Sequence, residues 1–334
     1  MYKFNNKLKR IDWFYKKYAS TSISLEDFVL KVNESYYKYS AGLYAYRYTK
    51  DIEKCYSKMF SIINTEMNSE NKHIVDIGGG TGFEYKIFKE HGVKYSEYDF
   101  IEPSYHMINE FKSYLDLNED KKVSLHNCHL SERVPELMLM NNKVLIMNSA
   151  LHHIIFIEDF LNNIKSSMNS KDLFILGHEP NNNNKYNAVM RLIQIITRAI
   201  FTSALLKRIP VIKNLFKNEA INTKRWKNIN QDLISANISS REIPPIAIRR
   251  IIDYGVGHKN DIQKFLIPKD SNEGFIGVSD VSFFLGDDYK LKFYSTYRHF
   301  GDSNGNFVIE FLNKAALIFT KHFGTNYVAV WEKK

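Results

Sequence analysis

Cysteine is scarce in this chain: its 334 residues include only two, Cys55 and Cys128. Two cysteines cannot build a disulfide framework, and no group of Cys and His residues has the spacing of a zinc site. The sequence also lacks a run of about 18 apolar residues, the length that a membrane-spanning helix needs. A cytoplasmic protein without a transmembrane segment is therefore expected.

The length and charge of the chain suggest one core domain with additional segments. The chain is longer than one typical domain of about 150 residues and too short for three. Its net charge is +9, and the basic excess lies in residues 181–270, where apolar residues at helical spacing alternate with Lys and Arg. Such a basic amphipathic helix can be a pocket lid, a docking surface, a membrane-surface element or a solvated cap helix. Residues 1–68 also have helical spacing.

The most informative segment is residues 74–83, Ile-Val-Asp-Ile-Gly-Gly-Gly-Thr-Gly-Phe. An apolar strand that ends in glycines predicts a tight turn where the backbone approaches a ligand closely. The helix that follows would direct its N-terminal amides toward that ligand. A dinucleotide motif would need glycine where Phe83 stands, and the phosphate-loop sequence Gly-Lys-Ser/Thr is absent. What remains is an acid followed by alternating glycines: Asp76, Gly78, Gly80 and Gly82.

Further strands follow the turn in order. Residues 98–102 predict a second strand that ends in Glu102, and an acid about 20 residues beyond such a turn is placed to accept hydrogen bonds from ribose hydroxyls. Residues 123–129, 143–148 and 173–177 predict three more strands. Strands that alternate with helices predict an α/β fold with a doubly wound parallel sheet, whose strand ends meet at one edge.

These motifs resemble those of class I S-adenosylmethionine-dependent methyltransferases of the small-molecule type. The resemblance implies a Rossmann-like fold with a mostly parallel seven-stranded sheet, and S-adenosyl-L-methionine as the cofactor. It also implies a helical N-terminal cap. The basic helical segment after strand five is expected to be a lid, and the two would close over the cofactor from opposite sides. The expected boundaries are 1–68 for the cap, 69–180 and 271–334 for the core, and 181–270 for the lid.

In the C-terminal part of the core, strands are expected over residues 275–285, 289–297 and 327–331. The last two would form the antiparallel hairpin that ends the sheet in this family. A helix near residues 308–323 would connect them.

The resemblance also assigns the cofactor site. Glu102 is the expected ribose ligand, and Pro103 turns the chain beside the adenine. Strand three usually ends in an acid that meets the adenine amino group, where this chain has His129, or Cys128 if the register shifts by one. No metal is expected, because strand four ends in Asn148 rather than in an acid. The expected cofactor-binding residues are Asp76, Gly78, Gly79, Gly80, Gly82, Glu102, Pro103, Cys128, His129 and Asn148.

Methyl transfer by in-line displacement needs groups that position the nucleophile and remove its proton. The residues expected to do so are His152, Glu179 and Tyr44. Two further histidines, His153 and His178, are expected at the same edge of the sheet. An imidazole near its unperturbed pKa is a suitable general base.

The expected reaction is methylation of O, N or C on a small molecule or a carrier-bound metabolite, in biosynthesis. The same cofactor site would serve transfer of the aminocarboxypropyl arm or its cyclisation, so the motifs leave both alternatives open. A nucleic-acid methyltransferase is disfavoured, because residues 148–151 are not Asn/Asp-Pro-Pro-Tyr and no RNA-binding module is evident. The intact glycines and Glu102 disfavour a non-catalytic binder. The sequence leaves open whether the protein forms a homodimer.

Overall fold

The structure is a computed structural model that describes residues 4–44, 72–115, 122–181, 192, 212–253, 276–299, 307–319 and 322–334. The chain divides into two compact units. One unit comprises Met1–Ser40 and Asn187–Gly274, and the other comprises Ala41–Tyr186 and Phe275–Lys334. No helix in the described part of the chain has the length and apolar character needed to cross a membrane.

The elements alternate as the sequence predicts for an α/β core. In chain order they are α1 (Phe4–Tyr18), α2 (Leu25–Lys38), α3 (Ala41–Tyr44), β1 (His73–Ile77), α4 (Phe83–Glu90), β2 (Glu97–Ile101), α5 (Tyr105–Lys112), β3 (Val123–His126), α6 (Leu130–Leu137), β4 (Lys143–Asn148), a 3-10 turn (Leu151–His153), α7 (Ile157–Ser167), β5 (Leu173–Pro180), α8 (Ile212–Ser235), α9 (Pro245–Ile252), α10 (Val278–Leu285), β6 (Tyr289–Tyr297), α11 (Phe307–Phe319) and β7 (Asn326–Lys333).

The second unit is built on a seven-stranded sheet with the order β3-β2-β1-β4-β5-β7-β6. Strands β1 to β5 pair in parallel, and β7 pairs antiparallel with both β5 and β6. The carboxyl ends of β1 to β5 and of β6 therefore share one edge of the sheet. The predicted doubly wound, mostly parallel sheet is confirmed, as is the closing hairpin.

The burial of apolar side chains explains why the sequence predicts these strands. Every residue of β1 and β4 is buried, and these strands pack among helices on both sides, as a parallel sheet requires. Aromatic rings from β2, α4 and α5 fill one side of the core. The rings of Phe100 and Phe111 lie 4.2 Å apart, and that of Tyr98 lies 6.0 Å from that of Phe88.

Strand β3 ends earlier than predicted, at His126 rather than residue 129. Asn127 leaves the sheet because its amide nitrogen donates to the carbonyls of Glu102 and Pro103, at 3.0 and 2.9 Å. His129 stands at the N-terminus of α6, where its backbone N–H donates to the Glu132 carboxylate at 2.8 Å. The end of the predicted strand is therefore a helix start.

The predicted strand over residues 275–285 is wrong: Val278–Leu285 is the helix α10. The Asp280 carboxylate accepts the N–H of Gly277 at 2.8 Å and so caps the helix at its start. Gly286, with φ of 82°, ends it. The buried residues Val281 and Leu285 are four apart, as on one face of a helix, while Phe283 is 70% exposed.

The described part of the first unit is helical. Tyr36 of α2 packs near Trp226 of α8, with ring centroids 5.9 Å apart, and the Arg225 guanidinium lies 4.7 Å from the Trp226 ring centre. The Asp232 carboxylate accepts hydrogen bonds from Lys38 and Tyr39, at 2.6 and 2.9 Å. Tyr36 and Tyr39 thus contribute to the packing and hydrogen bonding of this unit.

Candidate functional site

The glycine turn connects β1 to α4 at the carboxyl edge of the sheet. Gly78, Gly80 and Gly82 have φ angles of 67°, 59° and 77°, in the left-handed region that favours glycine. The N–H of Gly78 donates to the carbonyl of Ile101 at 2.7 Å, which fastens the turn to the end of β2. The alternation of glycines in the sequence is thus required by the backbone conformation.

The glycines of this turn differ in what surrounds them. A Cβ atom on Gly79 would overlap the ring of Phe100, and one on Gly82 would overlap the ring of Phe111. A Cβ on Gly80 would meet no atom within 4 Å. Gly79 and Gly82 therefore serve core packing, whereas Gly80 borders open space at the carboxyl edge.

Glu102 follows β2 and ties its loop to the glycine turn. Its carboxylate accepts the backbone N–H groups of Gly80 and Ser104, at 3.0 and 2.7 Å. The residue is 6% exposed, and burial raises the pKa of its carboxyl to about 7, against the two hydrogen bonds that lower it. Each carboxylate oxygen can accept a second hydrogen bond. Pro103 is half-buried beside it.

Several buried polar atoms at this edge have no hydrogen-bond partner in the structure. They are Oδ1 of Asp76 at the end of β1, Oγ of Ser104 after β2, and both amide atoms of Asn148 at the end of β4. The other oxygen of Asp76 accepts the hydroxyl of Tyr98 at 2.6 Å. Because buried polar atoms in native proteins are almost always paired, atoms of this kind at one edge point to a polar ligand.

Burial also raises the pKa of Asp76 from its ordinary value of 3.8 to about 7. The folded protein therefore binds more protons than the unfolded chain between these values, so this carboxyl makes folding less favourable as pH rises. Asp76→Asn mimics the protonated acid and can still accept the Tyr98 hydroxyl. We expect the stability of the variant relative to the wild type to increase by about 2–3 kcal/mol between about pH 5 and about pH 8, because the wild type loses about 1.4 kcal/mol per pH unit up to the raised pKa.

Urea unfolding of both proteins at the two pH values measures this difference. Comparing the variant with the wild type cancels other titrating groups, such as His178, whose lowered pKa acts in the opposite direction. Equal stability differences at the two pH values would contradict the assignment of a raised pKa to Asp76.

The adenine end of the expected site contains Asn127, Cys128 and His129. Cys128 is half-buried, and burial and the charge of Glu132 raise the pKa of its thiol. His129 uses its backbone to begin α6, as described above. The sequence did not suggest Asn127, although its amide holds the Glu102–Pro103 loop. The adenine contacts of Cys128 and His129 stay predictions.

The structure brings His152 and Glu179 together. Glu179 Oε1 accepts the N–H groups of Ala150 and Leu151, at 2.8 and 2.9 Å, and its Oε2 lies 3.1 Å from Nδ1 of His152. Glu179 is buried. A carboxylate against Nδ1 fixes the proton there and leaves Nε2 as the basic atom of the ring. The geometry therefore leaves Nε2 as the atom of this pair that can accept a proton, while Glu179 holds the ring at Nδ1.

Two residues that the sequence did not suggest lie beside this pair, at the end of β6. His178 Nδ1 is hydrogen-bonded to the hydroxyl of Tyr297, and its Nε2 lies 3.2 Å from Nη1 of Arg298. A register shift between Leu176 and Glu179 on β5 turns His178 toward them. Tyr297 is the last residue of β6 and Arg298 follows it. The partly alternating pattern of this strand was the feature of the sequence that could have indicated their position. The remaining expected residue, Tyr44, ends α3, and its side chain lies outside the described residues.

No protein-family model and no curated protein matches the sequence. Among solved structures, the plantazolicin methyltransferase BamL, solved with a triazolic desmethyl analogue and SAH, is 9% identical over 99% of this chain and 97% of BamL, with a TM-score of 0.46. A SAM-dependent methyltransferase of Anabaena variabilis is 10% identical over 94% of this chain and 97% of its own, with a TM-score of 0.47.

A candidate S-adenosylmethionine-dependent methyltransferase of Listeria monocytogenes is 21% identical over 36% of this chain, with a TM-score of 0.29, and the match spans 55% of that protein. These identities and TM-scores are low, so the fold is assigned on the topology of the sheet itself. The parallel strands in the order β3-β2-β1-β4-β5, extended by the antiparallel strand β7 and by β6, are the Rossmann-like fold of class I S-adenosylmethionine-dependent methyltransferases.

Proposed function

We propose that this protein is an S-adenosylmethionine-dependent methyltransferase that acts on a small molecule or a carrier-bound metabolite. The observation that carries the proposal is the set of unpaired buried polar atoms on Asp76, Ser104 and Asn148, gathered around a glycine turn that is open at Gly80. A polar ligand with both donors and acceptors would satisfy them.

The residues present fit the cofactor. Glu102 offers carboxylate lone pairs to the ribose hydroxyls, and the ionised carboxylate accepts them more strongly than a neutral group would. Asp76 offers an acceptor and the Asn148 amide offers a donor and an acceptor, which suits the charged amino-acid end. The segment that includes Cys128 and His129 is assigned to the adenine.

Bound S-adenosylmethionine supplies an electrophilic methyl group. The protein then has to hold the acceptor in line and remove its proton, and alignment alone can lower the barrier by about 7–11 kcal/mol. His152 is the proposed base, because Glu179 holds its Nδ1–H and leaves Nε2 as the basic nitrogen of the ring. Glu179 also stabilises the imidazolium that forms. An acid–histidine pair favours an acceptor that loses a proton, such as a hydroxyl or an amine.

Left-handed backbone at Ser149 and His178 supports an active site at this position. Ser149, with φ of 53°, directly precedes the segment that contains His152, and its N–H donates to the carbonyl of Gly177 at 2.8 Å. His178 has a φ of 55°. Non-glycine residues in this region are strained, and such strain is concentrated at functional sites.

Mass spectrometry tests the proposal. The protein is incubated with S-adenosylmethionine alone, and then with pools of hydroxyl- and amine-containing metabolites. Demethylated cofactor together with a product heavier by one methyl group supports the proposal. Release of methylthioadenosine would show that the aminocarboxypropyl arm is transferred or cyclised instead. Methylation of RNA or DNA would overturn the small-molecule assignment, and no binding of the cofactor would overturn the function.

A further inference from the structure

Two imidazoles lie close together at the ends of β4 and β5, and their partners have opposite charges. His152 Nδ1 lies 3.1 Å from the carboxylate of Glu179, whereas His178 Nε2 lies 3.2 Å from Nη1 of Arg298. A guanidinium has only donors, so the Nε2 of His178 accepts, and this ring cannot be the doubly protonated form. Its single proton is then on Nδ1, which donates to the hydroxyl oxygen of Tyr297.

The backbone holds this arrangement in place from both strands. His178 and Arg298 have φ angles of 55° and 58°, in the left-handed region that non-glycine residues rarely adopt. The Asn326 amide donates to the carbonyl of His178 at 3.2 Å, and the Thr325 hydroxyl donates to the carbonyl of Arg298 at 3.0 Å. Thr325 and Asn326, two adjacent residues where β7 begins, thus hold both strained backbone positions. The side chains of His178 and Arg298 are thereby kept next to each other.

Within the described part of the chain, the charges that lower the pKa of His178 come from two other strand ends. Arg298 approaches from the end of β6 and His152 from the segment after β4, and burial together with these two lowers the pKa of His178 well below its ordinary value. Neighbouring imidazoles rarely carry charge together, because like charges repel strongly in a buried site. Environments that move the pKa values of two neighbouring groups apart in this way commonly leave the proton on one of the two groups.

We propose that Arg298 is a positioning residue that acts through His178. It keeps this imidazole neutral, with its proton on Nδ1, so that a proton released by the acceptor passes to His152 alone. This inference rests on the proposed function and narrows its substrates to acceptors whose nucleophile has a proton to lose. The proton leaves an O–H or N–H bond and moves to Nε2 of His152, and the bonding electron pair stays on the acceptor atom.

The tautomer and charge of each imidazole can be read from ¹⁵N chemical shifts of the full chain labelled in histidine. His178→Asn identifies the signal. We expect His178 to remain neutral, with its proton on Nδ1, between about pH 5 and pH 8. Arg298→Met removes one of the charges that lower this pKa, so the same signal should titrate at a higher pH than in the wild type, while burial still holds the pKa below its ordinary value. Arg241→Met, which removes an exposed arginine of the helical unit, is the matched control and should leave the signal unchanged.

The wild-type spectrum can overturn the proposal by itself. A His178 that carries its proton on Nε2, or that titrates in this range, contradicts it without any variant. If Arg298→Met does not fold, Tyr297→Phe gives a second test: loss of the hydroxyl acceptor should shift the Nδ1 resonance, and an unchanged resonance would count against the chain of hydrogen bonds.

Activity gives a separate readout once methyl transfer is observed. Arg298→Met should lower kcat at least about 10-fold with a smaller change in KM, because an imidazolium at His178 would oppose proton transfer to His152. Arg298→Lys, which keeps the charge, should recover part of that loss. A protein without transferase activity would refute the proposed function, while the ¹⁵N spectra would still decide the role of Arg298.

Discussion

Replacing Glu102 with alanine is expected to weaken the binding of S-adenosylmethionine at least about 100-fold, since two hydrogen bonds to a charged acceptor contribute about 1.5–3 kcal/mol each. The substitution also frees the Gly80 N–H that the carboxylate now accepts at 3.0 Å. Gly80→Val should weaken binding to a similar extent, because its side chain would enter the open space beside the turn and its φ of 59° would be strained. Calorimetry with the cofactor and with its demethylated product measures both effects.

Two controls separate ligand binding from folding. Glu97→Gln removes a carboxylate at the opposite end of β2, where the residue is exposed, and should leave the affinity unchanged. Gly82→Ala should destabilise the fold, because its Cβ would overlap the Phe111 ring. Unchanged affinity in both Glu102→Ala and Gly80→Val would refute the cofactor site, and binding of NAD instead would show that the glycine spacing had been misinterpreted.

The sequence was informative where local and tertiary preferences agree. Strands β1 and β4 are mostly apolar and every one of their residues is buried, so a short apolar run that ends in turn residues indicates them directly. The glycine turn was predictable because its left-handed backbone requires glycine. Glu102 was predictable because its distance from that turn is set by one helix and one strand.

Where local and tertiary preferences disagree, the sequence predicted the wrong element or did not indicate the contact. The segment that forms α10 is rich in Val and Phe, which favour strands, yet its caps at Gly277 and Gly286 and the hydrogen bond from Trp331 Nε1 to Ser282 Oγ at 2.9 Å fix it as a helix. Helix propensity could not reveal a partner contributed by β7.

Long-range neighbours were equally hidden. His178 meets Tyr297 and Arg298 across 119 and 120 residues of sequence, and the contact exists only because β6 and β5 point the same way through the intervening β7. Glu179 was expected to take part in catalysis, but its bonds to backbone N–H groups depend on where the chain turns after β4. Such roles require the topology, which no local pattern contains.

We expect His152→Asn to lower kcat about 100- to 10,000-fold, the range that general-base catalysis contributes. The Nε2 atom of His152 is the proposed proton acceptor, and an asparagine amide cannot accept a proton at neutral pH. Cofactor affinity should stay the same, because His152 is not among the residues assigned to the cofactor. His91→Asn removes an exposed histidine after α4 and should not change kcat.

The substitution Glu179→Gln tests whether Glu179 positions the ring of His152. Its amide oxygen can still accept the N–H groups of Ala150 and Leu151, so the turn should survive. The amide nitrogen, however, would donate to Nδ1 of His152, which moves the ring proton to Nε2 and removes the base. A fall in kcat close to that of His152→Asn, with KM and thermal stability near the wild type, supports the pair. Full activity in either variant would show that methyl transfer proceeds without this base.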